Sequence, residues 1–246
     1  DLEVGTYRLL QGTLDAHLGG WGTLQNRKPA IMTWQHIDIG VPVENTRTTF
    51  DMSLGDTNFT IFGQTFDAEV LGGRISSHSF NYDVMNGTGA VNLILDEVEL
   101  NQILALQQED FESSGKISGS VPVQIDKGKL SVSKGTISAI EPGGYIKYKP
   151  GQTVVNMLTE NEQLKVVVET MQDFQYDKLI AELEYSPEGQ LVARTSLQGS
   201  NPAYENGREV HLNIKLEENI AALLESLRLG DDLTRKIGEK NSGVRQ

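Results

Sequence analysis

The chain of 246 residues contains no cysteine, which excludes disulfide bonds and thiolate zinc sites and is compatible with an oxidising or a reducing compartment. It also has no run of about 18 apolar residues, so no segment is predicted to cross a membrane as a helix. Lysine and arginine number 21 against 34 acidic residues, for a formal net charge of −13. With no basic stripe to neutralise phosphates, nucleic acid is not an expected partner.

Residues that carry catalytic or metal chemistry are also scarce. The histidines, His17, His36, His78 and His211, have no second ligand at a metal-binding spacing and are interpreted as polar residues of predicted strands. The acidic residues Asp96, Glu97 and Glu99 precede a predicted helix and suit its positive end. A nucleophile elbow and a phosphate-binding loop are both missing. The sequence therefore predicts a protein that is not an enzyme, with no metal site and no cofactor.

The chain does contain a regular alternation of apolar and polar residues. In the first strand predicted between residues 115 and 148, one side of the pleat carries Ile117, Val121, Val123 and Ile125. Turn residues follow at 126–129, 134–135 and 141–144, so this stretch predicts four short antiparallel strands. The alternation recurs along most of the chain and predicts a mainly β protein, built on an elongated, curved, antiparallel-rich sheet.

Three short segments have helical periodicity instead. Their apolar stripes are Leu100, Ile103 and Leu104; Leu164, Val167, Val168 and Met171; and Ile220, Leu223, Leu224 and Leu227. Thr159 and Glu162 have the spacing of a capping box before the second helix, and Glu217 and Glu218 suit the start of the third. The third helix is expected to lie across the sheet as a lid or to pack as ordinary core.

No linker rich in proline or serine divides the chain, which favours one elongated domain over residues 1–246. Because the chain begins at Asp1 without an initiator methionine, we expect a piece of a longer protein. A sheet with one apolar face needs a second layer of structure, a ligand or a partner that shields this face from water. The alternation leaves two solutions open, a closed sandwich or barrel and a groove whose apolar face binds a ligand or partner.

The order of five motifs resembles the C-terminal region of the YdbH-like proteins, in the AsmA-like, TamB-related group of bacterial envelope proteins. The motifs are G-x-x-SG-x-x-P from Gly115, PGG-x-I-x-Y from Pro142, F-x-YD from Phe174, L-x-G-x-NP from Leu197 and EN-x-x-x-LL-x-SLRL from Glu218. The resemblance is strongest over residues 87–229, and the first 85 residues carry no such signature.

This resemblance implies a taco-like β-groove that bridges the inner and outer membranes across the periplasm and shields phospholipid acyl chains. The inner-membrane anchor of such proteins is expected to be absent from this C-terminal piece. A small outer-membrane lipoprotein is the implied partner, adding a strand to an open sheet edge. Two alternatives remain: a TamB-like factor that templates outer-membrane protein strands, and a closed β-sandwich binding module.

The residues predicted to line the groove are the apolar members of the alternating strands. They are Val91, Leu93, Leu95, Val121, Val123, Ile125, Leu130, Val132, Leu191, Ala193, Leu197, Leu212 and Ile214. The possible lid helix contributes Ile220, Leu223, Leu224 and Leu227. If Val123 and Leu212 line the groove, charged replacements there are predicted to block lipid passage without unfolding the protein, whereas a loss of folding would identify them as ordinary core.

Overall fold

The computed structural model describes residues 2–4, 7–20, 23–106, 111–152, 156, 162–220 and 222–223. Within these residues, seventeen strands form one sheet and two helices accompany it. The strands are β1 (Leu2–Val4), β2 (Tyr7–Asp15), β3 (Leu18–Gly19), β4 (Leu24–Asn26), β5 (Ala30–Asp38), β6 (Pro42–Leu54), β7 (Phe59–Val70), β8 (Gly73–Ser77), β9 (Phe80–Asp83), β10 (Thr88–Glu99), β11 (Phe111–Ser113), β12 (Lys116–Asp126), β13 (Lys129–Ala139), β14 (Gly144–Tyr148), β15 (Phe174–Tyr185), β16 (Gln190–Ser200) and β17 (Glu209–Asn219). The helices are α1 (Leu100–Ala105) and α2 (Glu162–Met171). The prediction of a mainly β, antiparallel sheet is confirmed.

The order of strands in the sheet follows the order of the chain. β2, β5, β6 and β7 pair in turn, and so do β10, β12, β13, β15, β16 and β17, all antiparallel. Shorter strands share a row: β8 and β9 both lie between β7 and β10, β4 continues the row of β5, and β14 continues the row of β13. Among the described strands, β1 pairs only with β2 and β17 only with β16, so these pairings leave the sheet open.

The register assigns each strand residue to one of two faces, because directly paired residues point to the same side of a sheet. Val91 pairs with Val123, and Leu197 with Leu212. The face that contains these pairs, traced from β2 to β17, holds most of the large apolar strand residues and is called the inner face. The outer face carries charged pairs such as Arg194 with Glu184, whose Nη1 and Oε1 atoms are 2.6 Å apart.

The main hydrophobic cluster lies where the helices meet the inner face, at one end of the strands. Its buried members are Val98, Leu100, Ile117, Ile146, Met171, Phe174, Tyr176, Leu179, Leu197 and Leu212. Leu100 belongs to α1 and Met171 to α2, so both helices contribute to it. We call this the helix-capped end of the strands. The opposite ends of the strands form the open end, which includes the turns at 127–128 and 187–189 and, by register, Leu14, Leu24 and Leu54.

The stretch 115–148 forms three strands, so the prediction of four is wrong. The turn at 127–128 is confirmed, and Lys127 and Gly128 have positive φ values of 50° and 75°. The residues Lys134 and Gly135 instead lie inside β13, where the register against β15 shifts between Val132 and Gly135. A glycine in a strand marks a bulge as readily as a turn, which explains the error.

The helix predictions have mixed outcomes. The first helix is confirmed as α1, and the second is α2, whose first residue, Glu162, follows a predicted cap at Thr159 that lies outside the described residues. Glu217 and Glu218 belong to β17 rather than to the start of the third helix, because the strand continues to Asn219. The side chain of Asn219 accepts a hydrogen bond from the Ala222 N–H at 3.0 Å, which is N-cap geometry. Ile220 and Leu223 are helical, while Leu224 and Leu227 lie outside the described residues.

Candidate functional site

All the residues predicted to line a groove point to the inner face. On β10 and β12, Val91, Leu93 and Leu95 pair with Val123, Val121 and Gly119. Ile125 pairs with Leu130 of β13, and Val132 pairs with Tyr185 of β15. Between β16 and β17 the pairs are Leu197 with Leu212, Thr195 with Ile214, Ala193 with Leu216, and Leu191 with Glu218. The predicted set thus shares one face across five strands, β10, β12, β13, β16 and β17.

The surroundings divide this set. Leu197 and Leu212 are buried in the helix-covered cluster, at 2% and 9% exposure, and Leu95 and Ile214 pack against it. Leu130 lies toward the open end and is 48% exposed. The residues near the helices therefore serve as core. Val123, Val132 and Ala193 are also buried, at 9%, 8% and 8% exposure, so Leu130 is the member of the set that presents the largest exposed fraction.

Further large apolar residues of the inner face are exposed at the open end. Besides Leu130, these are Leu14 at 61%, Leu24 at 43%, Leu54 at 40% and Leu216 at 38%. Register connects them to the same face, because Leu24 pairs with Leu54 and Leu216 pairs with Ala193. Sequence reasoning missed the residues on β2, β4 and β6, although the alternation around Leu54 already indicated their phase.

A cavity of about 380 Å³ lies on the inner face between β7, β9, β10 and β12. Its lining consists of Ile61, Phe66, Phe80, Asn81, Tyr82, Ala90, Val91, Leu93 and Ile125. Each of the apolar and aromatic side chains in this lining is half-buried, and none is charged. Val91, Leu93 and Ile125 belong to the predicted set, whereas the contribution of β7 and β9 was not predicted.

Tyr176 organises the helix-capped end around glycines of the sequence motifs. Its hydroxyl donates a hydrogen bond to the Ser114 carbonyl at 2.8 Å, and burial raises the pKa of this phenol. A Cβ atom on Gly115 would lie 2.3 Å from the Tyr176 hydroxyl, and one on Gly144 would lie 2.8 Å from it. Only glycine fits at both positions, so the start of the first motif and the PGG motif provide space for the tyrosine of the F-x-YD motif.

The L-x-G-x-NP motif also serves the scaffold. A Cβ atom on Gly199 would approach the Gln175 carbonyl oxygen to 2.1 Å, so β15 and β16 pack closely only with glycine there. The Asn201 side-chain amide donates to the carbonyls of Glu169 and Thr170, at 2.9 and 3.1 Å, and so satisfies the end of α2. Gly115 of the first motif and the PGG, F-x-YD and L-x-G-x-NP motifs therefore build the helix-capped end. The fifth motif instead begins at the open end, where Glu218 and Asn219 pair with Leu191 and Gln190.

Catalytic and metal-binding arrangements are not found in the described part of the chain. No three histidine, aspartate or glutamate residues there come together as a possible metal site. His36 and His211 lie in strands as predicted, but His17 and His78 lie in connections. His36 contacts Glu44 at 2.7 Å on the outer face. None of the helices described has the length and apolarity needed to cross a membrane.

A sheet with a half-exposed apolar face and a largely apolar cavity defines a class of proteins that bind apolar ligands. The chain belongs to the YdbH-like family, since the family model described as "YdbH-like: Intermembrane phospholipid transport protein YdbH" matches residues 1–242. The match includes the N-terminal strands, in which no motif was recognised. No curated protein and no solved structure matches the chain.

Membership in this family assigns the chain a general role in lipid transport. The family description names a transport role and no enzymatic reaction. Transport between membranes implies a location in the cell envelope.

Proposed function

We propose that the inner face shields phospholipid acyl chains as they pass between the inner and outer membranes, with this domain as the periplasmic, outer-membrane-facing part of the bridge. The observation that carries the proposal is the apolar inner face, which continues through the rows from β2 to β17 and stays half-exposed toward the open end. Leu14, Leu130 and Leu216 retain 61%, 48% and 38% of their surface. A closed sandwich would bury side chains of this size in its core.

The energetics favour passive conduction. A methylene group costs about 0.8 kcal/mol to expose to water, so an acyl chain of a dozen or more methylenes cannot cross an aqueous space unshielded. On the inner face each methylene exchanges one apolar environment for another at little net cost. The charged headgroup remains in water beside the open end, and the chain makes or breaks no covalent bond.

The edge strand β17 is the docking site we propose for a small lipoprotein of the outer membrane. Its 11 residues pair with β16 along one side only, and no other described strand covers the second side. An added strand would receive the main-chain hydrogen bonds that this edge offers, with register set by alternate side chains. The added strand would extend the apolar inner face by one row.

Native mass spectrometry of the chain purified from bacterial cells tests the proposal. We expect the folded protein to carry phospholipid adducts that survive gentle desolvation and are released at higher collision energy. A compact, monomeric, lipid-free species as the sole form would refute the groove. A trapped unfolded β-strand client in place of lipid would support the alternative role in assembling outer-membrane proteins.

A further inference from the structure

Aromatic residues of the inner face repeatedly lie directly opposite a glycine on the neighbouring strand. The pairs are Phe80 with Gly63, Trp34 with Gly12, Tyr82 with Gly89, and Tyr176 with Gly199. They occur in separate rows between β2 and β16, so they are a recurrent feature of this face. An aromatic side chain opposite a glycine can cover the backbone that the missing side chain leaves bare.

In two of these pairs, Phe80 with Gly63 and Trp34 with Gly12, the ring lies against the glycine rather than standing away from the sheet. A Cβ atom built on Gly63 would lie 1.8 Å from Cε1 of Phe80, and one built on Gly12 would lie 2.1 Å from Cζ3 of Trp34. Both distances are far below van der Waals contact, so each ring occupies the volume that a side chain at the glycine would need. Because the nearest atoms belong to the ring and not to the backbone, any added methyl group would displace the ring.

Phe80 is part of the cavity lining between β7 and β12, and its position therefore controls the space there. With its ring flat on Gly63, the cavity keeps a volume of about 380 Å³. A ring lifted by a methyl group would enter this space from the sheet side. Gly63 thus sets the depth of the cavity without contributing a side chain.

The lining identifies the chemistry of the occupant. Its side chains are apolar or aromatic apart from Asn81, and no charged residue is among them, so a phosphate headgroup would find no partner. The volume lies near the lower end of the roughly 300–1,000 Å³ of small-molecule sites, which suits a segment of one hydrocarbon chain. We infer that this cavity is an acyl-chain binding site whose depth is set by the stacking of Phe80 on Gly63. The inference rests on the proposed lipid-binding function and locates one site within it.

The test compares Gly63→Ala with Gly19→Ala as a control on the outer face. Gly19 pairs with Gln25, whose partner in β6 is Ser53 of the outer face, and the three atoms nearest to a Cβ added at Gly19 all belong to the Arg27 side chain. Each variant adds one methyl group, but Gly19 lies outside the cavity lining. The probe is a fatty acid of eleven carbons with a terminal dansyl group, titrated into the purified chain, and thermal unfolding confirms that each variant is folded. We expect Gly63→Ala to weaken binding about tenfold, the equivalent of roughly two methylene groups excluded from the site. We expect Gly19→Ala to remain within about twofold of the parent.

The double variant Gly63→Ala with Phe80→Ala supplies an independent test, because removal of the ring takes away the group that the methyl displaces. We expect it to recover probe binding to within about threefold of the parent. If Gly63→Ala alone fails to fold, Phe80→Ala alone still tests the idea, since a deeper cavity should bind the probe at least as tightly as the parent does. Equal loss in both glycine variants, or no rescue by the double variant, would overturn the assignment of Gly63. A parent chain that binds no probe and carries no lipid would instead overturn the proposed function.

Discussion

Replacement of Leu130 by glutamate should separate lipid binding from folding. Leu130 follows the 127–128 turn, points to the inner face opposite Ile125 and is 48% exposed. Full burial of a leucine contributes about 1.5–3 kcal/mol, and about half of this surface is already in water. The substitution should therefore lower the free energy of unfolding by only about 1 kcal/mol. An acyl chain on this face would lose contact for roughly two or three methylenes, or about 2 kcal/mol, which corresponds to about a thirtyfold weaker affinity.

The matched control is Ile180→Glu. Ile180 is of similar size and is 51% exposed, but its partner in β16 is Ser196 and both lie on the outer face. The two variants should lose similar amounts of stability, as measured by urea unfolding. Only Leu130→Glu should lose affinity in a titration with the dansyl fatty acid and lose phospholipid in native mass spectra. Equal affinities for the two variants would contradict the assignment of the inner face as the lipid surface.

Three further predictions concern the scaffold. Leu212→Ala should lower the free energy of unfolding by about 2–5 kcal/mol in urea melts, because this side chain is buried in the helix-covered cluster. A loss below about 1 kcal/mol would refute its role as core. A charged side chain at Leu212 should unfold the chain rather than only block lipid passage. Tyr176→Phe should cost about 1–3 kcal/mol by leaving the Ser114 carbonyl without its donor. Burial raises the pKa of Tyr176 above its ordinary value of 10.0, so above pH 10 the native state keeps this proton while the unfolded chain releases it. The free energy of unfolding of the parent should therefore fall as the pH rises above 10. The fall that Tyr176 causes should be missing in Tyr176→Phe. Gly128→Ala should cost about 1–2 kcal/mol through its φ of +75° alone, since no atom lies within 4 Å of the added Cβ; unchanged thermal stability would show that the turn relaxes.

The alternation of apolar residues was sufficient to predict the shared face of the residues assigned to the groove, although it breaks at register shifts such as the one in β13. Period two fixes the side of the pleat, and for this reason Leu130 and Leu197 were assigned to the same face. The same pattern contains no information about what covers each position. Leu197 lies in a cluster beneath helices that come from elsewhere in the chain, while Leu130 lies at the open end. The predicted set therefore mixed core residues with candidate lipid contacts.

The cavity and its glycines could not be predicted because they depend on register. Gly63 and Phe80 are 17 positions apart, and their contact exists only because β7 and β9 pair in one specific alignment. The motifs that resemble the family were recognised in the C-terminal half of the chain because they depend on specific residue types rather than on apolar character alone. The motifs hold rigid turns, close strand contacts and a helix end, features that demand particular residues, whereas an apolar surface accepts many side chains of similar size.

The order of the rows has a consequence for how this sheet folds. Many strands pair with the strand immediately before them in the chain, as β16 does with β15 and β17 with β16. These pairings can form before segments far along the chain are available. Such local pairing shortens the loops that must close and favours rapid folding. The sheet can therefore grow row by row from its N-terminal strands as the polypeptide is released. At every stage only the newest strand presents an unpaired edge in the growth direction, which limits the aggregation hazard of so long a sheet.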